Sequence, residues 1–393
     1  MAAAAAQESD PIAELITTYH ELNSSIVEEL TEEPSPLEFM RYVARNTPFV
    51  VRGGARDWQA TKTWNVEYLT QFLQDHNVNV AVTPLGNADA PTLDERGNTV
   101  FAKPHEEDQS FPDFLEYLMK QETDPGFQGS EIRYAQTPLT EEHISCYLYL
   151  SPSTCLNRTE PYPSIHESTR PKSNPTNQLE NDNLRHEYRA LFSQVQRSVP
   201  WARIALQQDP DAINLWIGNA RSVTALHRDN YENVYVQVAG RKHFILLPPL
   251  CQPCVHERPL RPAHYVRRDR PRQDQGEEGE EKEGSGDNNR SSSLELVMEE
   301  DADDVPFATW DPDNAQVNTT KYSHLASPMH VTLEPGDMFY LPAMWYHKVS
   351  QSCNEEGVCI AVNYWYDMEF SGPLYPLVSF VRSMNSVSET PGA

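Results

Sequence analysis

Short apolar segments separated by turn residues dominate the second half of this chain. Each segment is rich in β-branched and aromatic residues and is too short for an ordinary helix. The segments with this pattern are 213–218, 222–227, 233–238, 242–247, 329–333, 338–341 and 358–366. Short strands at regular spacing are typical of an antiparallel sandwich or barrel. The sequence therefore predicts a mainly β fold with flanking helices.

The remaining sequence divides the chain into three parts. Residues 1–34 are predicted to be helical and partly disordered, because the apolar positions from Ile12 to Leu22 share one helical face. Residues 35–370 are predicted to form one main domain. Residues 371–393 are predicted to form a C-terminal helix and tail.

Polar stretches interrupt the main domain. The stretch at about 151–183 is rich in Pro, Ser, Thr and Asn, and the stretch at about 267–304 is rich in Glu, Gly and Ser. Neither can bury much apolar surface, so both are predicted to be disordered insertions. Residues 86–110 are predicted to form a loop.

The charge of the chain limits its partners. Its net charge is -27, from 31 Lys and Arg against 58 Asp and Glu. Such a surface repels phosphate backbones, so no direct binding of nucleic acid is expected. The charge suits a protein partner or substrate with a basic segment, but solubility together with one acidic loop is the favoured explanation.

No segment approaches the roughly 18 apolar residues that a membrane span requires, so no membrane association is expected. The first residues lack the basic segment and apolar core of a secretory signal. We therefore expect a cytoplasmic or nuclear location, or both. In those reducing compartments most of the six cysteines are expected to be free thiols.

His227 and Asp229 are separated by one residue at the end of a predicted strand. Side chains two apart in a strand share a face, so these two point the same way. With His347 they make two imidazoles and one carboxylate, the facial set that holds non-haem Fe(II) and leaves positions open for a keto-acid and O2. A His-x-Asp pair alone is a weak signal, and a lone histidine is more often a core residue.

Lys242 strengthens this interpretation. It shares one face of an apolar strand with Phe244 and Leu246. A lysine that faces a core is costly unless it is paired with an anion, and the distal carboxylate of 2-oxoglutarate is such an anion. Thr224 is placed to donate its hydroxyl to the same carboxylate. The alternative is that Lys242 lies at the strand edge and extends to water.

Asparagines occupy inward positions on two predicted strands. Asn233 shares a strand face with Tyr235, and Asn363 lies between apolar neighbours on a late strand. An inward asparagine needs hydrogen-bond partners, which the chelating end of a keto-acid would supply. A purely structural hydrogen bond is the alternative for each.

These motifs together resemble the JmjC (cupin-8-like) family of Fe(II)- and 2-oxoglutarate-dependent oxygenases. More narrowly, they are similar to the small JmjC lysyl hydroxylases that modify developmentally regulated GTP-binding proteins. The matching segments are TALHRDNYENVY (224–235), GRKHFILLPP (240–249), LPAMWYH (341–347) and VNYWY (362–366), with further likeness at 80–84, 198–202 and 210–218. The resemblance covers most of residues 35–370 outside the insertions.

The resemblance implies a double-stranded β-helix, a jelly-roll (cupin) barrel with the metal at its mouth. It implies that the iron ligands are His227, Asp229 and His347. It also implies that the distal carboxylate of 2-oxoglutarate is held by Lys242, Thr224 and Tyr134, and that its chelating end is surrounded by Asn233, Tyr235 and Asn363. Tyr134 rests on the resemblance alone.

The implied enzyme is a 2-oxoglutarate-dependent dioxygenase with Fe(II) as cofactor and O2 as co-substrate. It would hydroxylate a lysine side-chain carbon on a GTP-binding protein and release succinate and CO2. The resemblance also suggests a homodimer formed through the terminal helices.

Two other functions remain open. A JmjC-type histone or protein lysine demethylase uses the same iron chemistry on an N-methyl group, but no Cys/His-rich reader module is visible in the sequence. A catalytically inactive cupin scaffold is the second alternative, and the intact triad and Lys242 argue against it.

Cys251 and Cys254, with His256 nearby, have a zinc-like local spacing. A structural zinc site needs four ligands, and no second pair lies nearby in the sequence. Free thiols are therefore the favoured interpretation. The basic cluster 267–270 fits either a nuclear signal or a mixed-charge loop.

Overall fold

The fold is built mostly from strands, in a computed structural model that describes residues 10–135, 182–268 and 293–388. The helices in these ranges are α1 (Pro11–Leu22), α2 (Pro36–Arg45), α3 (Gln59–Thr63), α4 (Val66–Phe72), α5 (Phe111–Thr123), α6 (Pro200–Leu206) and α7 (Leu374–Ser388). A 3-10 helix, Pro249–Cys254, also bears on the site.

The strands in the first half of the described chain are β1 (Glu28–Leu30), β2 (Phe49–Val51), β3 (Asn77–Thr83), β4 (Ala90–Leu93), β5 (Thr99–Lys103), β6 (His105–Ser110), β7 (Ile132–Tyr134), β8 (Ala212–Gly218), β9 (Thr224–His227) and β10 (Tyr231–Ala239). Those that follow are β11 (Arg241–Leu247), β12 (Glu257–Leu260), β13 (Pro262–Arg267), β14 (Leu294–Met298), β15 (Val305–Ala308), β16 (Met329–Leu333), β17 (Met338–Leu341), β18 (Tyr346–Ser352) and β19 (Cys359–Asp367). The predicted mainly β fold with flanking helices is confirmed.

Two sheets form the centre of the fold. One has the strand order β1-β2-β17-β10-β19-β8, and the other has the order β16-β11-β18-β9. Strand β10 belongs to the first sheet and β11 to the second, and the turn between them contains Gly240. This residue has a φ of 66°, and an added Cβ would lie 2.6 Å from the Ser352 carbonyl oxygen. Glycine therefore lets the chain pass tightly from one sheet to the other.

The two sheets pack against each other through apolar side chains. Tyr235 and Phe339 come from the first sheet, and Phe244, Leu246 and Val331 come from the second. Side chains alternate between the two faces of a strand, so every second residue of β10 and β11 enters this interior. This facing pair of sheets is consistent with a jelly-roll architecture.

Helices cover the other face of the six-stranded sheet. Phe39 of α2 packs edge-on against Tyr340 of β17 and Trp201 of α6, with ring centroids 4.8 Å and 4.7 Å apart. Helix α2 begins at Pro36, directly after Ser35. The Ser35 hydroxyl accepts from the Glu38 amide at 3.3 Å, and the Glu38 carboxylate accepts from the Ser35 amide at 2.8 Å, which closes both ends of a capping box.

The prediction that residues 86–110 form a loop is wrong. This segment contains β4, β5 and β6, and β5 pairs with β13 while β6 pairs with β3. Strand β6 has a polar sequence, HEEDQS, with no buried residue. Backbone pairing to an already formed strand stabilises it without the apolar alternation that marks a strand in sequence.

The insertion predicted at about 267–304 is too long. Within it, β14 pairs with β13 along Ala263 to Arg267, and the side chain of Leu294 is buried. Leu294 and Leu296 alternate as in a strand, but the acidic residues around them led to the prediction of a disordered insertion. Residues 269–292 lie outside the described part, as does nearly all of the predicted insertion at 151–183.

The predicted terminal helices correspond to α1 and α7. Helix α7 packs on the 3-10 helix Pro249–Cys254 through Val378, Val381 and Leu250. Among the described residues, no helix combines the length and apolar character needed to cross a membrane.

Candidate metal centre

The pairing of β9 with β18 brings two histidines together. His347 lies directly opposite His227 in the antiparallel register, and their ring centroids are 4.1 Å apart. Asp229 follows the end of β9, and its Oδ2 lies 3.8 Å from His227 Nε2 and 3.6 Å from His347 Nε2. One ligand atom from each of the three residues lies within 4.8 Å of the other two.

Backbone carbonyls fix which nitrogen of each ring faces Asp229. His227 Nδ1 lies 2.8 Å from the Ala225 carbonyl oxygen, and His347 Nδ1 lies 3.0 Å from that of Trp345. A carbonyl only accepts, so each Nδ1 carries the proton and each Nε2 presents its lone pair toward Asp229. Burial, with His227 alongside, lowers the pKa of His347 to about 4. The His347 imidazole is therefore neutral at physiological pH, as metal coordination requires.

The loop before His347 is anchored at several points. The Met344 amide donates to the Asp229 carbonyl at 2.7 Å. Trp345 Nε1 donates to the Asn46 carbonyl at 2.9 Å and to its side-chain oxygen at 2.7 Å. Met344 has a φ of 68°, a backbone conformation that residues other than glycine rarely adopt. These hydrogen bonds offset that local strain and hold His347 opposite its partner.

Lys242 lies inside the same pocket and not at a strand edge. It is 3% exposed, and its Nζ donates to the Tyr134 hydroxyl at 2.9 Å. Burial opposes its charge, but the nearby hydroxyls of Tyr134 and Tyr235 outweigh this and raise its pKa. Within the described ranges, no carboxylate forms an ion pair with this ammonium, since all its close partners are hydroxyls and a thiol. The pocket therefore contains a buried cation without a fixed counter-ion.

The predicted asparagines form one hydrogen-bonded row. Asn363 Nδ2 donates to Asn233 Oδ1 at 3.1 Å, and Trp216 Nε1 donates to Asn363 Oδ1 at 2.8 Å. Tyr235 lies directly opposite Asn363 in the pairing of β10 with β19. Both asparagines therefore make structural hydrogen bonds, as the alternative interpretation proposed. Both also line the pocket.

One pocket contains every predicted site residue. Its wall includes the candidate ligands His227, Asp229 and His347, together with Tyr134, Thr224, Asn233, Tyr235, Lys242 and Asn363. Seven further residues line the pocket, and those that the sequence did not single out include Asp89, Trp216, Phe307 and Trp365. Trp216 lies in a predicted strand, so its place in the site could have been predicted from the sequence. Asp89 lies in the segment taken for a loop, and Phe307 lies on β15, which was not predicted.

The donor set fits a divalent transition metal. It has two imidazole nitrogens and one carboxylate on one side, which leaves the pocket side open. Of the described residues, only these three form a cluster of metal-ligating side chains.

Cys251 and Cys254 are buried, and the thiol of Cys251 lies 3.6 Å from His20 Nε2. His256 Nδ1 contacts the Thr309 hydroxyl instead, at 3.1 Å.

Comparisons with known proteins agree with this geometry. The profile of a cupin-like domain matches residues 34–372. The chain is 29% identical to a lysine-specific demethylase of Arabidopsis thaliana, over 91% of this chain and 86% of that protein. It is 28% identical to a JmjC domain-containing protein of Dictyostelium discoideum, over 90% and 87%. It is 31% identical to a bifunctional peptidase and (3S)-lysyl hydroxylase of Homo sapiens, over 87% and 84%.

The His227→Ala and Asp229→Ala variants each remove one donor from the centre. We expect each to weaken binding of Co(II) or Fe(II) by at least about tenfold, since facial coordination needs all three donors. Both residues are half-buried at a strand end, so the fold should persist. Titration with Co(II), followed by visible absorption, measures the affinity, and circular dichroism checks the fold. Unchanged affinity in both variants would exclude this metal centre.

The Gly218→Ala variant tests the placement of Tyr134. An added Cβ would lie 2.3 Å from Cδ2 of the Tyr134 ring, so the ring must move away from Lys242. We expect the dissociation constant for 2-oxoglutarate to rise about tenfold, or about 1.4 kcal/mol. Calorimetric titration of the metal-loaded protein measures it. Gly126→Ala is the control, because an added Cβ there meets only Asp124, at 3.2 Å. Equal affinities in both variants would contradict the role of Tyr134.

Proposed function

Because the chain belongs to the cupin-like JmjC family of 2-oxoglutarate oxygenases, we propose that it is an Fe(II)- and 2-oxoglutarate-dependent protein hydroxylase acting on a lysine side-chain carbon. The family and the cupin fold class inferred from the sequence are thereby confirmed. The observation that carries the proposal is the combination, in one pocket, of a three-donor metal centre and a buried ammonium with no carboxylate partner among the described residues.

The triad His227, Asp229 and His347 holds the metal in this proposal. The chemistry that bound Fe(II) and 2-oxoglutarate supply is the oxidative decarboxylation of 2-oxoglutarate by O2 to succinate and CO2, coupled to hydroxylation of a C–H bond. The chain's part is to turn Nε2 of both imidazoles inward and to fix their spacing through the strand pairing.

Lys242 receives the distal carboxylate of 2-oxoglutarate. The ammonium is buried and held by Tyr134, so an incoming carboxylate gains a charge-assisted hydrogen bond in a pocket of low polarity. Tyr134 and Thr224 add hydroxyl donors beside it. The amides of Asn233 and Asn363, with the Tyr235 hydroxyl, line the wall toward the metal and orient the chelating end.

The lining residues missed in the sequence support a lysine-bearing substrate. Phe307 and Trp365 provide apolar surface for an alkyl chain, and Asp89 provides a carboxylate for its ammonium end. Asp229 is the other acidic residue of the pocket wall, and the metal engages it. The net charge of -27 favours approach of a basic segment. A GTP-binding protein is the proposed source of that segment, by analogy with the subgroup that the sequence resembles.

Lysine demethylation is the competing activity, because relatives of similar identity include a lysine-specific demethylase. Both reactions use the same pocket and the same co-substrate. They differ in the atom that is oxidised, so the mass of the product separates them.

Mass spectrometry of the product tests the proposed reaction. We expect a lysine-containing GTP-binding protein to gain one oxygen on a lysine when it is incubated with the chain, Fe(II), 2-oxoglutarate and O2. A GTP-binding protein and a histone tail, each in unmethylated and N-methylated forms, are the substrates to compare. Loss of a methyl group without gain of oxygen would contradict the hydroxylase and identify a demethylase.

A matched pair of variants controls this experiment. Asp89→Asn removes the proposed carboxylate partner of the substrate, whereas Asp94→Asn alters an exposed turn outside the pocket. Hydroxylation should fall only in Asp89→Asn. No oxygen gain and no succinate with any substrate would favour a scaffold over an enzyme.

A further inference from the structure

One buried carboxylate, that of Glu257, contacts the sequence neighbours of all three candidate ligands. The Tyr346 hydroxyl donates to Glu257 Oε2 at 3.1 Å, and Tyr346 immediately precedes His347. Arg228 Nη2 lies 3.6 Å from the same oxygen, and Arg228 separates the other two candidate ligands. Adjacent side chains in an extended strand face opposite ways, so Tyr346 points to Glu257 while His347 points into the pocket.

Helix α7 is joined to this carboxylate from the other side. Arg382 Nη2 lies 2.5 Å from Glu257 Oε1. The side chains of Glu257, Arg382 and Arg228 are only 6%, 12% and 4% exposed. Solvent therefore screens these contacts little.

A second contact between α7 and the site is apolar. Val378 and Val381 pack in one cluster with Ala343 and Met344. The Met344 amide donates to the Asp229 carbonyl at 2.7 Å. Helix α7 thus supports the backbone of Asp229 through Met344, in addition to its ion pair with Glu257.

We propose that α7 is a positioning element of the metal centre and that it acts through Arg382 and Glu257. The inference rests on the metal centre of the proposed function and goes beyond it, because it assigns a role to a helix that contributes no ligand. Groups behind the ligands set the ligand orientation, and their loss typically weakens metal binding by about 10- to 100-fold. Undocking of α7 would remove Arg382 from Glu257 and the apolar support from Met344, and would so loosen the contacts behind all three ligands.

Arg382→Met is the variant that separates this role from folding. It removes the ion pair with α7, while Glu257 keeps Arg228 as its counter-ion and the methionine fills the space. We expect the dissociation constant for Co(II) to rise about tenfold. We also expect the visible absorption spectrum of the Co(II)-loaded protein to change, because ligand geometry determines that spectrum. Circular dichroism should be unchanged.

Arg382→Lys and Arg52→Met are the matched comparisons. Arg382→Lys keeps the charge and should bind Co(II) more tightly than Arg382→Met. Arg52→Met removes an arginine from Asp337, whose side chain is 5% exposed and therefore as buried as Glu257, but away from the pocket. It should lower stability without altering the Co(II) affinity or spectrum. If Arg382→Met does not fold, Tyr346→Phe replaces it, with an expected rise of about threefold.

The proposal is overturned if the folded variant binds Co(II) with the wild-type dissociation constant and spectrum. It is also overturned if Arg52→Met produces the same loss, because the effect would then be a general loss of stability. Failure of the wild-type chain to bind Co(II) would instead contradict the metal centre of the proposed function.

Discussion

The antiparallel pairing of β9 with β18 is the interaction on which the site depends. It places His347 opposite His227, although the two residues are far apart in the chain. A slip of one residue in this register would turn His347 to the other face of the sheet and leave two donors in place of three. Hydrogen bonds from the loop before β18 stabilise this register. The Met344 hydrogen bond to Asp229 and the Trp345 hydrogen bonds to Asn46 hold the loop that feeds β18.

Lys242 places the second constraint on the molecule. A buried ammonium is expensive, and the hydroxyls of Tyr134 and Tyr235 compensate it without neutralising it. Gly218 makes this possible, since any side chain there would displace the Tyr134 ring. The pocket thus keeps an electrostatic preference for an anion, and the three-donor centre lies in the same wall. A purely structural lysine would be expected to face a carboxylate of the protein or to reach water.

The sequence predicts the site better than it predicts the periphery of the fold. Strands β8 to β11 have the apolar alternation and turn residues that make them recognisable, and seven of the residues that line the pocket lie on them. Strand β6 is polar throughout, and β15 is short and contains Pro306, so neither has that pattern. Phe307 on β15 was missed for this reason, whereas Asp89 was missed because it lies just before β4 in a segment taken for a loop. Tyr134 was reached through family resemblance only, because its role depends on a contact with Lys242 that no local pattern encodes.

The central claim is that Lys242 and the metal centre together bind 2-oxoglutarate. Calorimetric titration of 2-oxoglutarate into the Mn(II)-loaded chain tests it most directly, with Lys242→Met compared to Lys348→Met. Lys348 is also a buried lysine, but its Nζ pairs with Asp311 and Asp313 outside the pocket. We predict that Lys242→Met raises the dissociation constant on the order of 100-fold, while Lys348→Met leaves it unchanged. Wild-type affinity in a folded Lys242→Met protein would contradict the account.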